Sequence, residues 1–118
     1  MTQKEILIVE DDANIQDVLM LALEFEGYKV VSANNGREAL DLLPQLNPGL
    51  ILLDLMMPIM NGWEFVEEIK KLDSYKDIPI VVISAYSERA INIECTEFVQ
   101  KPLELETLLS AVKRHYKG

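Results

Sequence analysis

The chain has 118 residues, enough for one domain with a single core and too few for two. Hydrophobic residues make up 49%, which excludes a disordered chain, and no apolar stretch approaches the roughly 18 residues of a membrane span. Twenty acidic against eleven basic side chains give a net charge of −9, a surface expected to repel nucleic acid and anionic membranes, so neither is an expected partner.

The opening residues Met1 to Glu5 show no signal-peptide pattern, and Cys95 as the only cysteine forbids an internal disulfide. Both fit a cytoplasmic protein.

The first element is the apolar run Ile6-Leu7-Ile8-Val9, which does not alternate and so reads as a strand buried on both faces. It ends in Glu10-Asp11-Asp12, with Asp12 placed to start or cap the helix that follows. Ile15, Val18, Leu19 and Ala22 give that helix its apolar stripe, and Gly27 sits where its C-terminal cap belongs. Tyr28 to Ala33 is a second strand. Ala39, Leu42, Leu43 and Leu46 repeat the helical spacing until Asn47-Pro48-Gly49 breaks it.

Leu50-Ile51-Leu52-Leu53 is the third buried strand, and Asp54 stands at its exit before Leu55-Met56-Met57-Pro58. Gly62, Phe65, Val66 and Ile69 mark a third helix. Ile80-Val81-Val82-Ile83 ends in Ser84, and a short strand at Phe98-Val99 ends near Lys101-Pro102. Leu105, Leu108, Leu109, Val112 and Tyr116 form the stripe of a last helix. Only eleven residues, Tyr86 to Thr96, link the last two strands. Two loops and a three-turn helix do not fit comfortably there, so a fourth helix is expected to be shortened or missing.

The order β-α-β-α-β-α-β-x-β-α predicts an α/β fold with one doubly wound, five-stranded parallel sheet and helices on both faces. Four strands then deliver Glu10-Asp11-Asp12, Asp54, Ser84 and Lys101 to the same end, where open parallel sheets bind ligands. A carboxylate can act as nucleophile on a phosphoryl group, provided the surrounding charge is offset. Glu10 and Asp11 set against Asp54 would not stay ionised together without a cation. Mg²⁺ suits two or three carboxylates plus a carbonyl, and Mn²⁺ has similar tastes.

The motifs ILIVEDD at residues 6–12, LLDLMMPIMNG at 52–62, VVISA at 81–85 and FVQKP at 98–102 stand in order and register. With them the chain resembles, over essentially its whole length, the receiver domains of two-component response regulators. The resemblance implies one receiver domain over 1–118, flavodoxin-like, with strand order 2-1-3-4-5. It implies that Asp54 accepts a phosphoryl group from a sensor histidine kinase or phosphotransfer protein. Asp11 and Asp54 would be direct Mg²⁺ ligands, Glu10 a largely water-mediated one, and the backbone carbonyl of Met56 another.

By the same resemblance Lys101 and Ser84 would contact the phosphoryl oxygens, with Lys101-Pro102 in cis. Ser84 and Phe98 would form the switch that passes the signal to a protein-binding surface. Met56 and Tyr86 occupy the two positions that govern acyl-phosphate lifetime. Neither can orient an attacking water, so slow self-dephosphorylation is expected. The protein would catalyse only its own phosphorylation and dephosphorylation, and would not be a turnover enzyme. A monomer acting on an unidentified protein target is expected.

Three rival readings remain. A Mg²⁺-dependent phosphatase would want a second acid at Met56, and a flavodoxin-type electron carrier would not have an acidic first loop. A degenerate, phosphorylation-independent receiver fits the short 86–96 segment and the Cys95-Thr96-Glu97 run, but not the complete set of acids, Ser84 and Lys101. His115 reads as a surface histidine, Trp63 as a packing residue and Cys95 as inert.

Overall fold

Alternate residues of each central strand point to opposite faces of a sheet, and in this protein both faces are covered. The computed structural model describes residues 3–86 and 92–118. In chain order the elements are β1 (Glu5–Val9), α1 (Ala13–Phe25), β2 (Lys29–Ala33), α2 (Gly36–Leu42) and a 3₁₀ turn (Leu43–Gln45). There follow β3 (Pro48–Asp54), α3 (Gly62–Lys70), β4 (Ile80–Ser84), β5 (Glu97–Gln100) and α4 (Leu105–His115). All strands are parallel, in the order β2-β1-β3-β4-β5.

Leu7, Val9, Ile51 and Leu53 face one core with Ala39 and Leu43 of the α2 segment and Phe65, Val66 and Ile69 of α3. Ile6, Ile8, Leu50 and Leu52 face the other with Leu19 and Leu23 of α1 and Leu108, Ala111 and Val112 of α4. This two-sided burial is why the central strands carry no polar alternation. It also fixes their register, since a one-residue slip would exchange the two cores.

Local chemistry sets the helix ends. Asp12 caps α1, its carboxylate accepting from the N–H groups of Asn14 and Ile15 at 2.9 and 3.2 Å. Asn61 and Glu64 form a reciprocal capping box on α3. Gly27 ends the α1 turn with φ 93°, a conformation that costs other residues a steric clash.

Three expectations change. The α2 helix stops at Leu42 rather than running to Leu46, because Pro44 lacks the N–H needed to continue it and the chain tightens into a 3₁₀ turn. Pro48 and Gly49 belong to β3 instead of a break before it. The buried positions of α1 are Gln16, Leu19 and Leu23, whereas Val18 is half exposed. The expected shortening of a fourth helix falls on a segment of which residues 87–91 lie outside the described residues; residues 92–95 form no regular element.

Candidate functional site

Topology brings the acids together. The chain leaves β1 toward β2 on one side and returns to β3 on the other, opening a crevice at the carboxyl ends of β1 and β3. Glu10 and Asp11 follow β1, and Asp54 is the last residue of β3. One carboxylate oxygen from each of the three lies within 4.8 Å of the others. Ser84 closes β4 and is almost completely buried, and Lys101 follows β5, its N–H donating to the Ser84 carbonyl at 2.8 Å. The Lys101–Pro102 peptide is cis.

The loop after Asp54 is held by close backbone contact. Gly62 N–H donates to the Leu55 carbonyl at 2.9 Å. A Cβ at residue 62 would lie 2.8 Å from Leu55 Cα and 2.9 Å from the Asp54 carbonyl oxygen, so only glycine admits this approach.

Electrostatics at the cluster are unfavourable in a telling way. Asp54 is 6% exposed and Glu10 only 2%. Lys101 Nζ lies 3.4 Å from Asp54 Oδ1 and 3.9 Å from Glu10 Oε1. Among the described residues, Lys101 is the cation paired with this cluster, at two of its three carboxylates. Burial pushes the Glu10 carboxyl up to about 7, with the Asp54 charge adding to it, against the Asp12 N–H and Lys101. Burial likewise holds Asp54 above its ordinary value, despite the opposing pull of Lys101 and aided by Asp11. Glu10 Oε2 accepts from Asp12 N–H at 3.1 Å, while Oε1 is buried with no hydrogen-bond partner. A buried oxygen without a donor, in a nest of three hard anionic ligands, fits a small divalent cation such as Mg²⁺.

Around the acids, the Ser84 hydroxyl accepts from Tyr86 N–H at 3.1 Å and keeps its own hydrogen to donate. Met56 and Tyr86 are both about half exposed beside Asp54 and Ser84 in the chain. Phe98 is partly buried and packs on the same core as Ile93, Cys95 and Trp63. The lone histidine is not a free surface group: His115 Nε2 lies 2.7 Å from Glu97 Oε1. One residue at the site gave no sequence signal. Gln16, inside an otherwise apolar stripe, reaches the Glu10 carbonyl.

The family model for the response regulator receiver domain matches residues 6–113. The chain belongs to that family. The protein YkoG of Bacillus subtilis, an uncharacterised transcriptional regulatory protein, is 36% identical over 118 residues, covering 96% of this chain and 51% of that protein. The response regulator MprA of Mycolicibacterium vanbaalenii is 36% identical over 113 residues, covering 92% and 48%. The receiver chain thus spans about half the length of these curated relatives. Among solved structures, the response regulator TrrA of Thermotoga maritima in complex with Mg²⁺-BeF superposes with a TM-score of 0.84 at 36% identity, covering 95% of this chain and 98% of that one. The signal receiver domain of a histidine kinase from Syntrophus aciditrophicus gives 0.87 at 34% identity, covering 94% and 88%.

The matched region is thus a receiver domain, the regulatory module of two-component response regulators. Among the described residues no helix is long and apolar enough to cross a membrane.

Proposed function

We propose that Asp54 is the phosphoacceptor of this receiver, taking a phosphoryl group from the phosphohistidine of a sensor histidine kinase or phosphotransfer protein in a Mg²⁺-dependent step. The observation that carries the reading is Asp54 itself: a buried carboxylate at a strand exit, paired with Lys101 and flanked by Glu10 and Asp11.

An Asp54 carboxylate oxygen attacks phosphorus in line, an O–P bond forms as the P–N bond breaks, and the donor histidine leaves as the imidazole. Asp11 and Asp54 would hold the cation, with Glu10 contributing largely through water and the Met56 carbonyl completing the protein's share. When bound, Mg²⁺ neutralises the carboxylates and the phosphoryl oxygens. Mn²⁺, with the same preference for oxygen, would be able to substitute. Lys101 supplies a fixed positive charge to one phosphoryl oxygen, and Ser84 donates its hydroxyl hydrogen to another. As Ser84 moves inward, Phe98 follows, and the change alters a protein-binding surface. The segment acts in the cytoplasm as a monomer through protein contact, with its net charge of −9 keeping it off nucleic acid and anionic membranes.

The test is beryllofluoride with Mg²⁺, read by backbone amide NMR. Wild type is expected to shift at Ser84, Phe98 and Lys101, and Asp54→Asn to stay in its starting state. Identical spectra for both proteins would leave the chain as a phosphorylation-independent interaction module.

A further inference from the structure

Gln16 is a polar side chain on the buried face of α1, nine-tenths or more shielded from solvent. Its Nε2 faces three oxygens: the Glu10 main-chain carbonyl, Asn34 Oδ1 at 2.9 Å and the Ala33 carbonyl at 3.3 Å. That surrounding fixes the amide orientation, because a reversed amide would set Oε1 against three acceptors. Asn34 is itself held on the far side, where its Nδ2 donates to Glu38 Oε2 at 3.1 Å.

Glu10 is thereby pinned at three points. Its N–H donates to the Ala33 carbonyl at 3.0 Å, its carbonyl accepts from Gln16, and its Oε2 accepts from Asp12 N–H. The one polar atom left without a hydrogen bond is Oε1, buried beside Asp54 and Lys101. Three like-charged carboxylates repel one another, so an unanchored loop between β1 and α1 would relax by spreading them apart. Gln16 opposes that relaxation from outside the cluster, tying the loop to the end of β2.

We propose that Gln16 is a positioning residue of the cation site: by clamping the Glu10 main chain to Ala33 and Asn34, it holds Glu10 and Asp11 within reach of Asp54 and so sets Mg²⁺ affinity. This rests on the reading of Glu10, Asp11 and Asp54 as cation ligands. Partners that orient metal ligands from outside are typically worth about 10–100-fold in affinity, a scale set by their role in preorganisation.

The experiment titrates Mg²⁺ alone into wild type, Gln16→Met and Asn34→Ala, read by backbone amide NMR. The Mg²⁺ dependence of acetyl-phosphate labelling is followed in parallel. Gln16→Met is close in shape but has no donor. It is expected to weaken Mg²⁺ binding about tenfold and to raise the Mg²⁺ concentration for half-maximal labelling equally, while the labelling rate at saturating Mg²⁺ falls less than twofold. A merely structural role would lower the saturated rate and leave the concentration dependence alone. Asn34→Ala, at an exposed position, is expected to weaken binding by at least twofold, and it decides the matter should Gln16→Met fail to fold. Wild-type Mg²⁺ affinity in the folded Gln16→Met protein, or in Asn34→Ala if only that variant folds, overturns the proposal while leaving the cation site standing. Absence of Mg²⁺ binding in wild type overturns the cation site and the proposal with it.

Discussion

Lys101 Nζ lies 3.4 Å from Asp54 Oδ1, so among the described residues the cation paired with the proposed nucleophile is a side chain that follows a strand two positions away in the sheet. In the apo protein this lysine is the partial counter-charge for a crowd of carboxylates. In the proposed phosphoryl transfer it would serve the incoming phosphoryl oxygens instead. The two duties predict opposite consequences for one substitution. Lys101→Ala should strengthen Mg²⁺ binding, since a competing positive charge is gone. It should also slow labelling of Asp54 by acetyl phosphate by about a hundredfold, the scale of losing one charge-stabilising group. Titration and labelling of the same variant check both signs. Weaker Mg²⁺ binding together with an unchanged labelling rate would contradict the assignment.

A second prediction concerns pH. The Glu10 carboxyl stands at about 7 in the fold against an ordinary 4.5, chiefly because it is buried. A raised folded value means that its contribution to stability is fully present below the unfolded value and is lost as pH rises through the folded one. Without metal, the protein should therefore lose stability between about pH 4.5 and pH 7.5, by on the order of 3 kcal/mol. Glu10→Gln should flatten that slope, and Mg²⁺ should oppose it by binding the ionised form. Urea midpoints across this range, with and without Mg²⁺, provide the check. A wild-type slope equal to that of Glu10→Gln would refute the account.

Glu97 predicts the reverse sign at lower pH. Burial pushes its carboxyl upward, but hydrogen bonds from Arg114 at 2.5 Å and His115 at 2.7 Å outweigh this and hold it below the ordinary value. Its contribution is present above 4.5 and is lost as pH falls through the depressed folded value. Glu97→Gln should thus remove part of the acid sensitivity below that point. Measuring both variants over the same pH series separates the two carboxylates.

Gly62→Ala should be costly out of proportion to one methyl group. The added carbon would meet main-chain atoms, Leu55 Cα and the Asp54 carbonyl, neither of which can rotate aside. A loss of about 1–3 kcal/mol is expected, with slower Asp54 labelling in the surviving folded fraction. Denaturant unfolding and labelling at matched folded fraction test this. Wild-type stability would show that the β3–α3 loop does not depend on the close approach.

Met56 and Tyr86 leave no amide or carboxylate at the two positions expected to control acyl-phosphate lifetime. The phosphorylated protein should persist for many minutes in Mg²⁺, and Met56→Asn should shorten that time by offering a group that can orient water. Decay followed by intact mass supplies the comparison. A wild-type lifetime of seconds would sink this prediction.

The site was legible because its residues interrupt a simple pattern. Asp54 and Ser84 are polar groups at the ends of wholly apolar runs, Lys101 follows a short strand with only Phe98 and Val99 apolar, and Asp12 is a capping residue just ahead of a helical stripe. Fold order followed from the same runs, whose lack of alternation reports helices on both faces. Gln16 stayed invisible because its signal is an absence: a polar residue on an apolar face reads as a gap in the stripe until its acceptors are seen. Val18 took its place in the predicted stripe, since one-residue errors in helical phase are easy when several neighbouring positions are apolar. Pro44 was legible in principle, but the leucines around it kept the helical spacing and masked the stop. His115 was read as a surface group because its partner, Glu97, lies eighteen residues away on β5.

Intact mass of the protein after acetyl phosphate treatment, in Mg²⁺ and in chelator, tests the central claim most directly. The account predicts a gain of one phosphoryl group in wild type with Mg²⁺, no gain when the treatment is run in chelator, none in Asp54→Asn, and removal of the group by hydroxylamine as an acyl phosphate should show. No gain in wild type, or an equal gain in Asp54→Asn, would contradict it.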